Sequence, residues 1–77
     1  MPTVFRKDGY RFFFFSDEHL PKHIHIEKAG SYLRIDLENL NVTHRYNISQ
    51  KEIKRVLAVV QKERENLLGA WDEYFNE

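Results

Sequence analysis

The chain has 77 residues, no cysteine, and 12 basic against 12 acidic side chains, which give a formal net charge of zero at pH 7. A chain of this length forms one domain with a small hydrophobic core. The lack of cysteine excludes disulfides and thiolate metal sites, and no apolar run reaches the roughly 20 residues that span a bilayer, so we expect a cytoplasmic protein with no membrane partner.

The beginning of the chain predicts two strands. Residues 3–6 form the first, and Asp8-Gly9 is a typical hairpin turn. Residues 10–15 form the second, in which four consecutive phenylalanines place aromatic rings on both faces. Because both faces of such a strand have to be covered, we predict that it is a central strand.

The next stretch holds three of the four histidines. A polar connection, residues 16–21, ends at Pro21, which prevents a helix from linking it to the residues that follow. Residues 23–28 and 31–38 alternate between polar and apolar side chains, which predicts two strands. The Ala29-Gly30 pair between them is interpreted as a two-residue hairpin loop.

The register of this hairpin follows from its loop. It pairs His23 with Asp36 and His25 with Arg34, so that these four side chains share one face of the sheet. The same register gives two further pairs, Glu27 with Tyr32 and Lys28 with Ser31. The apolar residues turn to the opposite face, which we expect to be the core: Ile24, Ile26, Leu33 and Ile35.

A helix follows a weaker last strand at residues 42–47. Ser49 and Glu52 form a capping box, and Ile48 and Ile53 stand at the hydrophobic staple positions. Apolar residues then recur at helical spacing and predict one face that covers the sheet: Ile53, Val56, Leu57, Val60, Leu67, Trp71, Tyr74 and Phe75.

The length of this helix raises a question about its end. An unbroken helix from Gln50 to Phe75 would be about 39 Å long, whereas a six-residue strand spans about 20 Å. Either the helix breaks near Asn66 or Gly69 and folds back, or its aromatic end overhangs and packs on another chain. We favour the break, because glycine weakens a helix by about 1 kcal/mol relative to alanine.

These elements together predict an α+β fold. Residues 1–77 form a single domain, in which a β-rich part, residues 1–48, precedes a helical part, residues 49–76. The β-rich part is a small, mainly antiparallel sheet of four to five strands. It packs against a C-terminal helix or a broken helix pair.

The histidine face is the candidate site. Histidine titrates near neutral pH, so His23 and His25 are predicted to act as general base and general acid. Arg34 would stabilise an anionic transition state, and Asp36 would orient His23. This set of side chains suits phosphodiester cleavage without a metal or another cofactor, as in a ribonuclease.

Three alternatives stay open. In the first, His23, His25 and Glu27 bind a metal ion, with Asp36, His19 or His44 as further candidate ligands, although the positive charge of Arg34 opposes a cation there. In the second, the histidine face is an ordinary surface network. In the third, the protein is a non-catalytic interaction module whose partner binds the aromatic end of the helix, namely Trp71, Tyr74 and Phe75.

Charge is unevenly distributed along the chain. Residues 1–64 hold all twelve basic side chains and eight acidic ones, a net charge of +4, and residues 65–77 hold only four acids. This leaves room for a basic surface patch. On the predicted helix, one side carries cations that could neutralise several phosphates, namely Lys51, Arg55 and Lys62, with Lys54 nearby. Arg64 is unusual because it falls on the apolar stripe, where it would extend past the core edge, pair with a carboxylate, or reach the histidine site.

Several segments resemble a known family. They are Met1-Pro2-Thr3-Val4, the GYRFFFFS run at residues 9–16, the PKHIHI run with its HxH motif at residues 21–26, and LLGAWDEYF at residues 67–75. In this order they resemble the small prokaryotic family called domain of unknown function 4160. One proline precedes His23 where members usually have two, a departure that concerns the entry to the strand.

The resemblance implies a role and partners but no mechanism. It implies the toxin component of a prokaryotic type II toxin–antitoxin module. The cognate antitoxin-like partner would be a small protein of the family called domain of unknown function 2442. RNA or the translation machinery would be the target, and a homodimer is left open.

Overall fold

A computed structural model of the chain describes residues 3–75 and contains five strands followed by two helices. The strands are β1 (Thr3–Lys7), β2 (Tyr10–Phe13), β3 (His23–Lys28), β4 (Ser31–Asp36) and β5 (Val42–Tyr46). The helices are α1 (Gln50–Lys62) and α2 (Arg64–Phe75).

The strands form one antiparallel sheet in the order in which they occur in the chain. The predicted register of the β3–β4 hairpin is confirmed at every pair, with His23 opposite Asp36 and His25 opposite Arg34. β2 ends at Phe13 and so contains two of the four phenylalanines that the predicted strand at residues 10–15 included. As predicted, it lies inside the sheet, between β1 and β3, whereas β3 is the middle strand. The sheet therefore places the histidines at its centre.

Both tight hairpins turn through residues with positive φ. Asp8 and Gly9 have φ of 53° and 83°, and Ala29 and Gly30 have 46° and 87°. These values suit a two-residue turn whose twist matches that of the flanking strands. Glycine and aspartate adopt this conformation readily, but alanine does so at a steric cost, so the turn that fixes the histidine register contains one strained residue.

The two helices cover one face of the sheet and form the core with it. Ser49 caps α1 by accepting a hydrogen bond from the backbone N–H of Glu52, at 3.2 Å, as the capping box predicts. The core contains the following buried residues of the sheet and helices: Tyr10, Phe12, Phe14, Ile24, Ile26, Leu33, Ile35, Leu37, Ile53, Val56, Val60, Leu67 and Trp71.

The helix breaks earlier than predicted. Glu63 ends α1, with its backbone N–H bonded to the carbonyls of Val59 and Gln61, and α2 begins at the next residue. Gly69 lies inside α2, so the prediction of a break near Asn66 or Gly69 was wrong. Tertiary contacts decide the position, because a single glycine costs a helix only about 1 kcal/mol.

Arg64 supplies one of those tertiary contacts. Its Nε donates to the carbonyl of Leu37 at 2.7 Å, and its Nη2 donates to the carbonyl of Glu38 at 3.3 Å. Nη1 also bonds to the carboxylate of Glu65. The guanidinium thus satisfies the backbone just after β4 and fixes the start of α2 against the sheet.

The predicted α+β class is confirmed, with five antiparallel strands and a broken helix pair. Residue 76, which the prediction included in the helical part, lies outside the described residues. Within residues 3–75, neither helix has both the length and the apolar character required to cross a bilayer.

Candidate functional site

The β3–β4 hairpin brings His23 and His25 together on the sheet face opposite the core. Their ring centroids are 5.0 Å apart. Contrary to the expectation of an exposed strand face, His23 is 3% exposed and His25 is 4% exposed. Rings from other elements cover them: Trp71 packs on His23, and Phe13, Phe15 and Tyr32 pack on His25.

A carboxylate from the connection between β2 and β3 binds both imidazoles. Glu18 Oε1 lies 3.0 Å from Nε2 of His23, and Glu18 Oε2 lies 2.6 Å from Nε2 of His25. The Glu18 side chain is only 9% exposed. No sequence pattern pointed to Glu18, because a polar connection without periodicity gives no register from which to place its side chains.

The other nitrogen of each ring also has a partner. Nδ1 of His23 lies 2.7 Å from the carbonyl oxygen of Pro21, and Nδ1 of His25 lies 2.7 Å from the hydroxyl of Tyr32. A carbonyl only accepts, so Nδ1 of His23 must carry a proton. Both Nε2 atoms are thereby turned toward Glu18.

His25 and Tyr32 are both neutral in this arrangement. Burial lowers the pKa of His25 below its ordinary value of 6.5, although the adjacent Glu18 carboxylate acts in the opposite direction. Burial raises the pKa of Tyr32 above 10.0, so its hydroxyl keeps its proton at neutral pH. Tyr32 therefore donates to Nδ1 of His25, whose Nε2–H donates to Glu18.

His23 is in a different position. With its proton on Nδ1, a neutral His23 presents the lone pair of Nε2 to Glu18 Oε1 at 3.0 Å. Two acceptors at this distance repel each other unless a proton or a metal ion lies between them. The site is therefore built to hold a positive charge between Glu18 and His23.

Glu18, His23 and His25 form the group of potential metal ligands within residues 3–75. One ligand atom from each lies within 4.8 Å of the others. Each histidine has a hydrogen-bond partner at Nδ1, but binding of an ion through Nε2 of His25 also requires its proton to move from Nε2 to Nδ1, where the Tyr32 oxygen would accept it. One carboxylate and two imidazoles suit a divalent transition metal.

The residue predicted as the third metal ligand lies elsewhere. Glu27 is on the same sheet face, but it is exposed and pairs with Arg11. His19 and His44, the other candidate histidine ligands, are both exposed. In the described part of the chain, the metal-ligand group thus contains Glu18 where the sequence predicted Glu27.

Arg34 lies beside His23 as well as opposite His25. Its Nη2 is 3.5 Å from Nδ1 of His23, whose proton already points to Pro21, so the contact is electrostatic rather than a good hydrogen bond. Its Nε is buried without a hydrogen-bond partner among residues 3–75. The guanidinium thus contacts the ring atom of His23 that faces away from Glu18.

Asp36 is opposite His23, as predicted, but its carboxylate has other partners. Oδ1 accepts hydrogen bonds from the backbone N–H groups of Glu38, at 2.8 Å, and Asn39, at 3.3 Å. Asp36 therefore stabilises the turn after β4, and the carbonyl of Pro21 orients His23 in its place.

The aromatic end of α2 is divided between core and surface. Trp71 is fully buried and packs against Phe14, His23 and Phe75, so it is not available as the partner-binding anchor that the sequence predicted. Tyr74 is 45% exposed, and Phe75 is half-buried. Of the three, Tyr74 offers the largest surface to a partner.

Comparison with known families gives one match. Residues 9–72 match the model described as Domain of unknown function (DUF4160). The chain belongs to this family. The match includes Glu18, both histidines of the cluster and Trp71, so the DUF4160 region contains the whole site. No curated protein and no solved structure matches the chain.

Proposed function

We propose that Glu18, His23 and His25 bind a divalent transition-metal ion, and that the protein uses this centre on phosphodiesters of RNA as the toxin-like component of a type II toxin–antitoxin module. The observation that carries the metal site is the pair of facing acceptors, Nε2 of His23 and Oε1 of Glu18, at 3.0 Å. A proton or a metal ion is required between them, and the donor set of two nitrogens and a carboxylate fits zinc and its neighbours.

The distances from Glu18 to the two histidines are close to those between the ligands of a zinc ion. Tetrahedral ligands at 2.0–2.1 Å from zinc lie roughly 3.3 Å from one another. Glu18 Oε1 and His23 Nε2 are 3.0 Å apart, and Glu18 Oε2 and His25 Nε2 are 2.6 Å apart. An increase of under 1 Å in each of these two distances would bring them to the separation of zinc ligands, and the ligand atoms of all three residues lie within 4.8 Å of one another. Arg34 contacts His23 at Nδ1, so it does not occupy the position of the ion, although its positive charge weakens the binding of a cation.

The metal reading explains the cluster better than metal-free acid–base catalysis does. Both imidazoles are buried, and each has a partner on both ring nitrogens. Neither is free to exchange a proton with a substrate. A divalent ion held by three protein ligands keeps a coordination position for water or a phosphate oxygen, which is the arrangement typical of hydrolytic metal sites.

Metal content is the first test. Metal-free protein titrated with Zn²⁺ or Mn²⁺ by calorimetry should bind one ion per chain. Glu18→Gln should weaken binding by at least about a hundredfold, since it replaces a charged ligand, whereas the matched change at the exposed Glu27, Glu27→Gln, should leave it unchanged. Equal binding by wild type and Glu18→Gln would reject the site.

The biological role needs a separate test. Induced expression in a bacterial host should slow growth and deplete RNA, and co-expression of a small antitoxin-like protein of the family called domain of unknown function 2442 should restore growth. The double variant His23→Ala/His25→Ala, with its fold checked by circular dichroism, should be harmless. Growth inhibition that persists in this variant would separate toxicity from the histidine cluster.

A further inference from the structure

The ends of the β1–β2 and β3–β4 hairpins form a basic groove beside the histidine cluster. The groove has a volume of about 330 Å³, and Arg6, Arg11, Lys28, Glu27 and Tyr32 contribute to its lining. Three cations face one carboxylate, which leaves a net charge of +2. The groove is separate from the metal ligands, since Glu18, His23 and His25 do not line it.

A second concavity continues the basic surface around the same hairpin ends. Lys7, Asp8, Lys28 and Arg55 are among its lining residues, and its volume is about 290 Å³. Lys28 lines both concavities. Together they hold five cations and two carboxylates on a chain whose formal net charge is zero. Positive charge is thus concentrated at this end of the sheet, which favours a polyanion.

Aromatic rings accompany the cations. Tyr32 lines the groove, and its neighbour across the strands, Tyr46, is 69% exposed. Grooves of positive charge that also offer aromatic rings are typical of proteins that bind single-stranded nucleic acid, because the cations bind phosphates and the rings stack on bases. An acidic protein segment would use the cations but has no bases for the tyrosines.

Tyr32 also connects the groove to the candidate metal site. Its ring lines the groove, while its hydroxyl lies 2.7 Å from Nδ1 of His25. A strand held in the groove would therefore pass one side chain away from the Glu18–His23–His25 cluster.

We propose that this groove binds a single-stranded nucleic acid, with its phosphates on Arg6 and Lys28, because Arg11 already pairs with Glu27, and with a base stacked on the exposed Tyr46 next to the groove. The proposal deepens the proposed function, on which it rests for the chemistry, by naming the surface that holds the strand. RNA and DNA share the phosphates and bases that the groove would bind.

Fluorescence anisotropy of the full chain with labelled 12-nucleotide single strands, one of RNA and one of DNA, tests the proposal. The affinity for both the RNA and the DNA strand should fall as the salt concentration rises. Arg6→Gln should reduce the slope of log K against log salt concentration by about 0.7, the value for one lost phosphate contact. The matched control Lys54→Gln, an exposed position on α1, should not change it. Tyr46→Ala should weaken binding about tenfold.

Other results overturn the proposal. No binding by the folded wild-type chain would do so, as would equal losses in Arg6→Gln and Lys54→Gln, which would indicate attraction by net charge alone. A poly-glutamate peptide that binds as tightly as the strands would identify an acidic protein as the partner. Metal titration of Arg6→Gln keeps the two proposals apart: this variant should retain its metal, and Glu18→Gln should retain the strand.

Discussion

The two faces of one hairpin bury very different side chains. On the helix side, Ile24, Ile26, Leu33 and Ile35 are 0–1% exposed and lie in a continuous apolar core. On the other side, His23 is nearly as well buried, at 3%, but it contacts a carboxylate, a carbonyl and a guanidinium. Apolar burial stabilises the fold, whereas burial of facing acceptors costs free energy unless a cation neutralises them. The histidine face therefore depends on a proton or a bound cation between Glu18 and His23, whereas the apolar face needs neither.

The largest expected effect is on the apolar face. Ile24→Ala removes a completely buried side chain and should lower the free energy of unfolding by about 2–5 kcal/mol. Urea denaturation followed by circular dichroism measures it. Leu20→Ala, at a position that is 61% exposed, serves as the control and should change stability by less than about 0.5 kcal/mol. A small effect of Ile24→Ala would mean that this face is not the core.

For the histidine face, we expect that metal binding raises the stability of the folded chain. An ion that binds only the folded chain stabilises it by about 2.7 kcal/mol at a concentration one hundred times its dissociation constant. Thermal unfolding with and without Zn²⁺ should show this rise in wild type and its reversal by a chelator. Glu18→Gln should show neither. An equal rise in both proteins would place the ion outside the cluster.

Only the parts of this contrast that follow from a local sequence pattern could be predicted. Alternation in residues 23–28 and 31–36 and the Ala29-Gly30 loop were sufficient for the register, and the Ser49 cap marked the start of the helix. Glu18 could not be found in this way. Its position depends on the path of the connection from β2 to β3 across the sheet, where the chain has no period and the contacts are with residues distant in sequence.

The position of the helix break was predicted wrongly for a related reason. Gly69 was the weakest residue for a helix, but the chain turns at Glu63, next to the arginine that binds the carbonyls of Leu37 and Glu38. Propensity differences of about 1 kcal/mol are smaller than the free energy of several tertiary contacts. Arg64 was recognised as unusual on the apolar stripe, yet its partners were backbone groups that no side-chain pattern reveals.

A substitution at Glu18 should show the cost of the facing acceptors on the histidine face in the absence of metal. In the metal-free protein, Glu18→Gln places an amide where its N–H can donate to Nε2 of His23 while its oxygen accepts from His25. The facing acceptors disappear, so the free energy of unfolding of this variant should be about 1 kcal/mol higher than that of metal-free wild type. Urea denaturation in the presence of a chelator measures this, with Glu27→Gln as the matched control. A clear loss of stability would show that a proton already satisfies the pair.

A change in α2 should stabilise the fold and leave the site as it is. Gly69 lies within this helix, and a Cβ added there meets no atom of another element within 4 Å. Gly69→Ala should therefore raise the free energy of unfolding by about 0.8 kcal/mol. The urea midpoint should increase at constant slope, and metal affinity should not change. Destabilisation would indicate that the chain bends at Gly69 after all.

The smallest effect concerns the turn that sets the register of both faces. Ala29 has φ of 46°, a conformation that asparagine adopts more readily than alanine. Ala29→Asn should stabilise the chain by about 0.5 kcal/mol, and the reverse type of change in the other hairpin, Asp8→Ala, should destabilise it by a similar amount, because Asp8 has φ of 53°. Since the turn acts on the apolar and histidine faces alike, metal affinity should be unaltered in both variants. A change in metal affinity with Ala29→Asn would mean that the hairpin register is not fixed in the wild type, since slippage by one residue would exchange the two faces.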